Sequence, residues 1–311
     1  MAVRIASANA FDTSLATLQR RQVALGESQE RLTSGKRVLK ASDDPTAAAR
    51  AERALAQMSR TDANLRALDA SRSVMQQTEV AMGDAGDLLQ KVRELMVSAG
   101  NASYSDAERG IVAVALRGLR TQLLAVSNRS DGAGGYLFGG QGSATAPFVD
   151  APGGVQYVGT TGSLRAATDD PLPLSLDGQA AWLGARDPVS GTADLSLFNV
   201  IDLTVANLET PNQSSTTIVT GLQTSLLNID AAMNNVSGWR ARSGEALTRA
   251  DSMQERLGQV KLGATRERSD AEDLDMVTAI SEFQSQQTGY SAALQTYSMV
   301  QRLSLFDYIG R

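Results

Sequence analysis

The 311-residue sequence contains no cysteine and no histidine. Without cysteine it has no disulfide, no thiolate metal ligand and no thiol nucleophile. Without histidine it lacks the most common general acid–base group and the most common transition-metal ligand. We therefore expect no catalytic residue, no cofactor and no metal site, and the sequence favours a protein that is not an enzyme.

Aromatic residues and excess positive charge are also scarce. Aromatic side chains make up 5% of the chain, and the formal net charge is −5. Long helices rich in alanine, leucine and glutamine give such a composition more readily than a compact, aromatic-rich enzyme does. Because the charge indicates no basic surface for a polyanion, we expect no nucleic-acid partner.

Long hydrophobic runs are absent as well. The sequence has no run of about 18 apolar residues of the kind that spans a bilayer. The N-terminal stretch MAVRIASANAFDTSL lacks the continuous apolar segment and cleavage site of a secretory signal. We expect neither a Sec signal peptide nor membrane insertion.

Both ends of the chain instead carry apolar residues at alternating spacings of four and three, which is typical of helices packed in coiled coils. Glutamines interrupt both stripes. A polar residue in such a seam lowers stability but can select register and partner; alternatively, the glutamines lie beside the seam in solvent. The N-terminal stripe comprises Phe11, Leu15, Leu18, Gln22, Leu25, Gln29 and Leu32, and the C-terminal stripe comprises Met276, Ile280, Phe283, Gln287, Tyr290, Leu294, Tyr297 and Gln301.

The stretch RLTSGKRVLKASDDPTAAA, residues 31–49, ends one predicted helix and starts another. Gly35 has the position of a helix C′ residue, and Pro45 suits the first position of the next helix. Asp44 is then the N-cap of that helix. Asp43 and Asp44 could instead bind a metal, but no histidine or third ligand accompanies them. A phosphate-binding loop is rejected because the G-x-x-x-x-G-K-[ST] spacing does not occur.

Between the ends, the pattern predicts a helical rod with an insert. One long helix covers about 45–99, a second starts at the capping box Ser105–Glu108, and a short helix at about 198–208 leads into a further long one. Glycines, prolines and short apolar runs indicate a small, acidic β-rich insert. The predicted fold is mainly α with this insert, a long antiparallel helical rod and coiled-coil-like terminal helices. Five segments are predicted. They are an N-terminal helix with its connecting loop (1–44), the first part of the rod (45–136), the β-rich insert (137–199), the second part of the rod (200–265) and a C-terminal helix (266–311).

Several motifs resemble those of the bacterial flagellin superfamily. The broad signature is TSGKRVLKASDDP followed by an alanine-rich helix. More narrowly, the sequence is similar to the hook-filament junction proteins, the third hook-associated proteins, over about 1–148 and 198–311. The motifs that carry this similarity are SDDP at 42–45, GLRTQLLAVSNRSDGAGGYLFGG at 118–140, APF at 146–148 and LSLFDYI at 303–309.

The resemblance implies a structural flagellar protein that joins the hook, through the first hook-associated protein, to the flagellin filament. It implies a homo-oligomer whose terminal segments, 1–44 and 266–311, pair as helices in the inner tube. It also implies an extracellular location, reached unfolded through a flagellar export chaperone and the type III export apparatus. The implied layer connection contains Gly35, Asp44 and Pro45. The implied assembly interface is Phe11, Leu15, Leu18, Gln22, Leu25, Leu32, Ile280, Phe283, Gln287, Tyr290, Leu294, Tyr297, Leu305, Phe306 and Ile309.

Two alternatives remain at this point. Flagellin has similar terminal helices, but it typically lacks the proline after the paired aspartates and the ending LSLFDYI. A type III secreted effector, or a peptidase using a Ser/Lys or carboxylate site in the acidic insert, is the other class. Copy number distinguishes flagellin from a junction protein, because a filament subunit is present in thousands of copies and a junction subunit in few.

Overall fold

The structure, a computed structural model, describes residues 2–101, 103–166 and 171–309, and describes side chains between residues 12 and 299 of these ranges. The predicted mainly α fold with a small β insert is confirmed. Within the described residues the helices are α1 (Ala2–Ser34), α2 (Pro45–Ala99), α3 (Asp106–Ser127), α4 (Leu197–Glu209), α5 (Ser215–Glu272) and α6 (Met276–Ile309). The strands are β1 (Phe148–Ala151) and β2 (Gly154–Tyr157), and a π-helical turn covers Gln179–Leu183.

The chain divides into two compact units, residues 1–61 with 259–311 and residues 62–258. In the first, which we call the terminal unit, α1 packs against α6. Its buried apolar cluster consists of small side chains, Val38, Ala47, Ala51 and Ala271. Such a cluster buries little apolar surface, and apolar burial is the main stabilising term in folding. Among the side chains that the structure describes, the apolar core of the terminal unit is therefore small.

The break between α5 and α6 lies at residues 273–275. The boundary predicted between residues 265 and 266 is therefore inside α5. Glycines at 258 and 263 precede it, but a glycine costs a helix only about 1 kcal/mol and does not by itself end one. The break coincides instead with Asp275, whose carboxylate accepts hydrogen bonds from the amides of Val277 and Thr278 and so caps the start of α6.

The second unit, residues 62–258, which we call the central unit, contains the main hydrophobic core. The capping box predicted at the start of α3 is confirmed: the Ser105 side chain accepts from the Glu108 amide, and the Glu108 side chain accepts from the Ser105 amide. By length and composition α3 could cross a membrane. Its buried stripe packs instead into this core and the helix packs on α4. The stripe comprises Val112, Ala113, Leu116, Leu123 and Val126.

The insert shares the core of the helices. Three aromatic rings of the insert form a chain of contacts with a ring of α4, and neighbouring centroids in this chain are at most 6.4 Å apart. The order of the chain is Phe138, Trp182, Phe148 and then Phe198 of α4. These rings belong to the same buried cluster as side chains of α2, α3 and α5. The insert is thus packed on the helices along its apolar side.

Regular β structure in the insert is smaller than the sequence indicates. The antiparallel pair β1–β2 has four residues in each strand, with Phe148 opposite Tyr157 and Ala151 opposite Gly154. The other pairings among described residues are isolated bridges, such as Gly139 with Asp177. The close approaches explain this: a Cβ on Gly178 would lie 2.2 Å from the Phe138 carbonyl oxygen. Glycines here permit tight backbone packing at the expense of long strands.

Arg120 on α3 holds the insert to two helices. Its guanidinium pairs with both oxygens of Asp150 on β1, at 2.7 and 2.8 Å, and with Asp202 on α4 at 2.6 Å. The hydrogen bonds of Asp150, and then those of Asp202, raise the pKa of Arg120 above its ordinary value, and the same Arg120 lowers the pKa of Asp150. The Arg120 side chain is 11% exposed, so these charges interact partly shielded from water.

We expect Arg120→Met to destabilise the protein by about 2 kcal/mol, because two carboxylates lose a charged, bidentate partner. Arg120→Lys should lose about half as much, since it keeps the charge but not the planar fork. The measurement is urea unfolding of the full chain. The control is Arg117→Met, also on α3, which removes a more exposed ion pair with Glu209 of α4 and should change stability by about 0.5 kcal/mol or less. Equal losses for the two methionine variants would contradict the role given to Arg120.

Candidate assembly interface

Two connecting segments meet beside the terminal helices. The first, residues 35–44, joins α1 to α2, and the second, residues 273–275, joins α5 to α6. The Arg37 amide donates to the Glu272 carbonyl oxygen at 2.7 Å, and the Leu274 amide donates to the Gly35 carbonyl oxygen at 3.0 Å. Lys36 and Asp273 therefore lie opposite each other in an antiparallel bridge. We call these two segments the paired connectors.

Gly35 ends α1 in the left-handed conformation, with φ of 68°. Its amide donates to the Arg31 carbonyl oxygen at 2.9 Å, as in an αL C-cap. A residue with a Cβ is strained at this φ, whereas glycine is not. After this turn, the Gly35 carbonyl oxygen faces the Leu274 amide and the Arg37 amide faces the Glu272 carbonyl oxygen.

Carboxylates cap the helices that leave the connectors. Asp44 accepts from the Ala47 amide at 3.0 Å and from the Thr46 hydroxyl at 2.7 Å. The bond from Ala47 is the largest cause that lowers the pKa of Asp44 to about 2. Asp43 instead accepts from the amides of Lys40 and Leu39, and these bonds lower its pKa. Asp43 therefore shapes the connector itself, while Asp44 caps α2.

Charged side chains reinforce the backbone pairing of the connectors. Lys36 Nζ lies 2.9 Å from a Glu272 carboxylate oxygen and is the largest cause of the lowered pKa of Glu272. Arg37 links both sides: one of its nitrogens donates to the Ala271 carbonyl oxygen at 2.9 Å and another to the Asp44 carboxylate at 3.1 Å. Lys36 and Arg37 follow the glycine that ends α1 and precede the aspartate that caps α2. Both thus bind the end of α5.

Sequence reasoning selected Gly35, Asp44 and Pro45 but missed the C-terminal side of this site. Asp275 caps α6 as Asp44 caps α2. Because aspartate is a preferred N-cap residue, Asp275 could have been found from its position just before the C-terminal apolar stripe. Glu272 and the Ala271 carbonyl carry no local signal, because their role depends on a partner more than 230 residues away.

The structure brings the two predicted stripes together only in part. Of the named residues on the terminal helices, Leu18 is buried in the monomer. Leu25, Leu32, Phe283, Tyr290 and Tyr297 are half-buried, whereas Leu15, Gln22, Ile280, Gln287 and Leu294 are exposed. The side chains of Phe11, Leu305, Phe306 and Ile309 lie outside the described residues.

The glutamines Gln22, Gln29 and Gln287 are exposed in the monomer. This position matches the alternative in which they lie beside the α1–α6 seam. Close contact between the two helices occurs at Gly289, where a Cβ would lie 2.6 Å from an Arg21 guanidinium nitrogen. A glycine therefore gives the arginine space to cross the partner helix.

The sequence matches two family models, the bacterial flagellin N-terminal helical region over residues 5–143 and the bacterial flagellin C-terminal helical region over residues 226–309. It is 30% identical over 290 residues to flagellar hook-associated protein 3 of Escherichia coli K12, covering 89% of this chain and 90% of that protein. The chain belongs to the hook-associated protein 3 family. This finding confirms the resemblance to the flagellin superfamily and, within it, to the hook-filament junction proteins.

A further relative and two solved structures are also similar to this chain. The Salmonella typhimurium LT2 protein is 28% identical and covers 98% of this chain and 99% of its own length. Among solved structures, FlgL of Xanthomonas campestris superposes with a TM-score of 0.59 at 21% identity, covering 70% of this chain and 99% of that one. The flagellar junction protein FlgL of Legionella pneumophila gives 0.60 at 16% identity, with 72% and 100% covered. These two structures support the fold.

The paired connectors should respond to acid and not to pH changes near neutrality. Asp44, Asp43 and Glu272 have lower pKa values in the folded state than in the unfolded chain, so they stabilise the fold above about pH 4. That stabilisation is lost as the pH falls from about 4 to about 2. Between about pH 6 and 7.5 stability should hardly change, because the sequence has no histidine to titrate there.

The measurement is hydrogen exchange at the amides of Ala47 and Ala48 in the full chain, corrected for intrinsic rates. Asp44→Asn keeps a cap acceptor but cannot titrate, so it should reduce the loss of protection in acid. Asp69→Asn, a change at an exposed carboxylate of α2, should leave the loss unchanged. A midpoint near pH 6.5 would show that a different, perturbed group governs this region.

Proposed function

We propose that this chain is the structural protein that joins the hook to the flagellin filament of the bacterial flagellum. Its membership of the hook-associated protein 3 family carries this proposal. The finer assignments are also proposed: it contacts the first hook-associated protein on the hook side and flagellin on the filament side, it forms a homo-oligomer at the junction, and it has no enzymatic activity.

The single observation that supports an assembly role is the surface of the paired terminal helices. Although α1 and α6 pack against each other, both leave large apolar side chains in solvent. Val23 on α1 is 61% exposed and Val277 on α6 is 77% exposed. Apolar surface of this kind on a helix pair marks contact sites for other subunits. The exposed set also includes Leu15, Met276, Ile280, Leu294 and Met299.

We further propose that segments 1–44 and 266–311 form an inner layer, that 45–136 and 200–265 form the surrounding helical rod, and that 137–199 is an insert on that rod. In this arrangement the paired connectors lie where the inner segments meet the rod, and the C-terminal inner segment starts at the break at 273–275 instead of the predicted residue 266. The proposed location is extracellular, at the hook-filament junction. Export without a Sec signal, by a flagellar chaperone and the type III apparatus, is part of the same proposal.

The test of the assembly surface is complementation of a strain that lacks its own junction protein. Val23→Asp places a charge on an exposed position of α1, so the monomer should keep its stability within about 0.5 kcal/mol while filament growth is lost. The control is Val189→Asp, on the insert, where the valine is 80% exposed. It should restore motility. Filament growth with Val23→Asp at normal secretion levels would contradict the proposed interface.

Flagellin is the second candidate, because this chain is 25% identical to the flagellin of Bacillus subtilis 168 over 260 residues and covers 83% of it. Quantification of the protein in sheared flagella separates the two. A junction protein is present in a few copies per flagellum and is required before filament growth, whereas a filament subunit is the major component.

The paired connectors can be tested by a designed disulfide. Lys36 and Asp273 lie opposite each other, flanked by the hydrogen bonds of their neighbours, which is the close type of antiparallel pair with Cα atoms about 4.5 Å apart. That separation suits a disulfide. The native chain has no cysteine, so Lys36→Cys with Asp273→Cys adds the one available pair.

We expect the oxidised double variant, purified and added in vitro to hooks that carry the first hook-associated protein, to assemble as well as its reduced form. This result follows if the connectors stay paired in the flagellum. The single variants Lys36→Cys and Asp273→Cys are the controls for the lost ion pair with Glu272 and for the thiols. Assembly that occurs only after reduction would show that the connectors separate on assembly.

A further inference from the structure

A small cavity lies in the central unit where the ends of three helices meet. Its volume is about 10 Å³. It is lined by the end of α2 at Ala99 with the following Gly100 and Asn101, by Arg109 of α3, and by Ser215 at the start of α5. Two aliphatic side chains of α5 complete the wall.

Arg109 is buried beside this cavity, with 8% of its surface exposed. One terminal nitrogen donates to the Tyr104 carbonyl oxygen at 2.7 Å, and the other pairs with the Asp106 carboxylate. The third nitrogen, Nε, is shielded from bulk solvent, and its N–H has no acceptor among the residues that the structure describes. A buried donor without a partner is costly, and proteins commonly meet this cost with an internal water.

We propose that the cavity binds one water molecule, which accepts a hydrogen bond from Arg109 Nε–H. Its volume corresponds to about one water-sized sphere, so a phosphate, a carboxylate or a sugar does not fit. The cavity can therefore hold one water molecule or one small ion, and the charges around it decide between them.

The polarity of the walls favours water over an ion. The helix ends that border the cavity are partly satisfied already. The Val97 and Ser98 carbonyl oxygens accept from the amides of Gly100 and Asn101, and the Thr217 and Ile218 amides donate to Ser214. A cation would be repelled by the guanidinium. Asp106 already neutralises Arg109, which removes the demand for a second anion. Water carries no charge and can accept the hydrogen bond from Arg109 Nε–H.

This water would complete a polar junction that holds two turns of the central unit. Through Arg109 the junction reaches the α2–α3 turn at Tyr104. Through the other oxygen of Asp106 it reaches the α4–α5 turn, where the Asn212 amide donates at 3.2 Å. Asn212 has a φ of 58°, a left-handed conformation that a fixed partner helps to hold. The water would add the ends of α2 and α5 to this set.

The direct experiment is a crystal structure of the full chain grown in sodium bromide, with anomalous data collected at the bromine edge. We expect a solvent peak within hydrogen-bonding distance of Arg109 Nε that gives no bromine signal. A bromine peak would show an anion site, and a cavity without density would show that the donor stays unpaired. Either result overturns the proposal.

NMR spectroscopy tests for the same water in solution, without crystals. The Arg109 Nε–H signal in the NMR spectrum of the wild-type chain should show a nuclear Overhauser effect to water together with slow exchange. Arg109→Lys cannot reach all three partners and should lose the water and lower the melting temperature by about 5 °C. Arg117→Lys, at an exposed site on the same helix, should lower it by about 1 °C or less. Retention of the water in Arg109→Lys would contradict the role of Nε.

Discussion

The backbone pairing of residues 35–37 with residues 272–274 is the constraint on which the terminal unit depends. Two hydrogen bonds join the segment that leaves α1 to the segment that enters α6. The apolar cluster beside them is small, so it cannot by itself fix these segments in place. Directional hydrogen bonds and the ion pairs of Lys36 and Arg37 supply the geometry that apolar packing does not.

The caps at the connectors could be predicted because each is a local event. Gly35 provides a left-handed φ, and Asp44 precedes a proline, which together define a stop and a start within ten residues. The bounds of α2 and the capping box of α3 follow from equally local signals. The pairing of Arg37 with Ala271 and Glu272 could not be predicted, because no sequence pattern specifies which distant carbonyl a basic segment will meet.

The insert shows a second limit of sequence reasoning. Its glycines and prolines correctly indicate turns, but they also suggest more strand than is present. Its attachment depends on Arg120, which in the sequence is one of several arginines on an apolar helix. Only the fold brings Asp150 and Asp202 to its guanidinium. In the same way, Asn128 reads as a simple helix end, yet its side chain exchanges two hydrogen bonds with the backbone of Phe148.

The distance along the chain between the two connectors has a consequence for the order of folding. The hydrogen bond from Arg37 to Ala271 joins residues 234 positions apart. For a flexible chain, closing a loop of that length costs roughly 5 kcal/mol in entropy beyond a constant term, and the small cluster beside the connectors returns little. Once the central helices have formed, most of the intervening chain is already ordered, so the entropy cost of closing the loop is almost eliminated. The connectors therefore form late in folding, after the central unit.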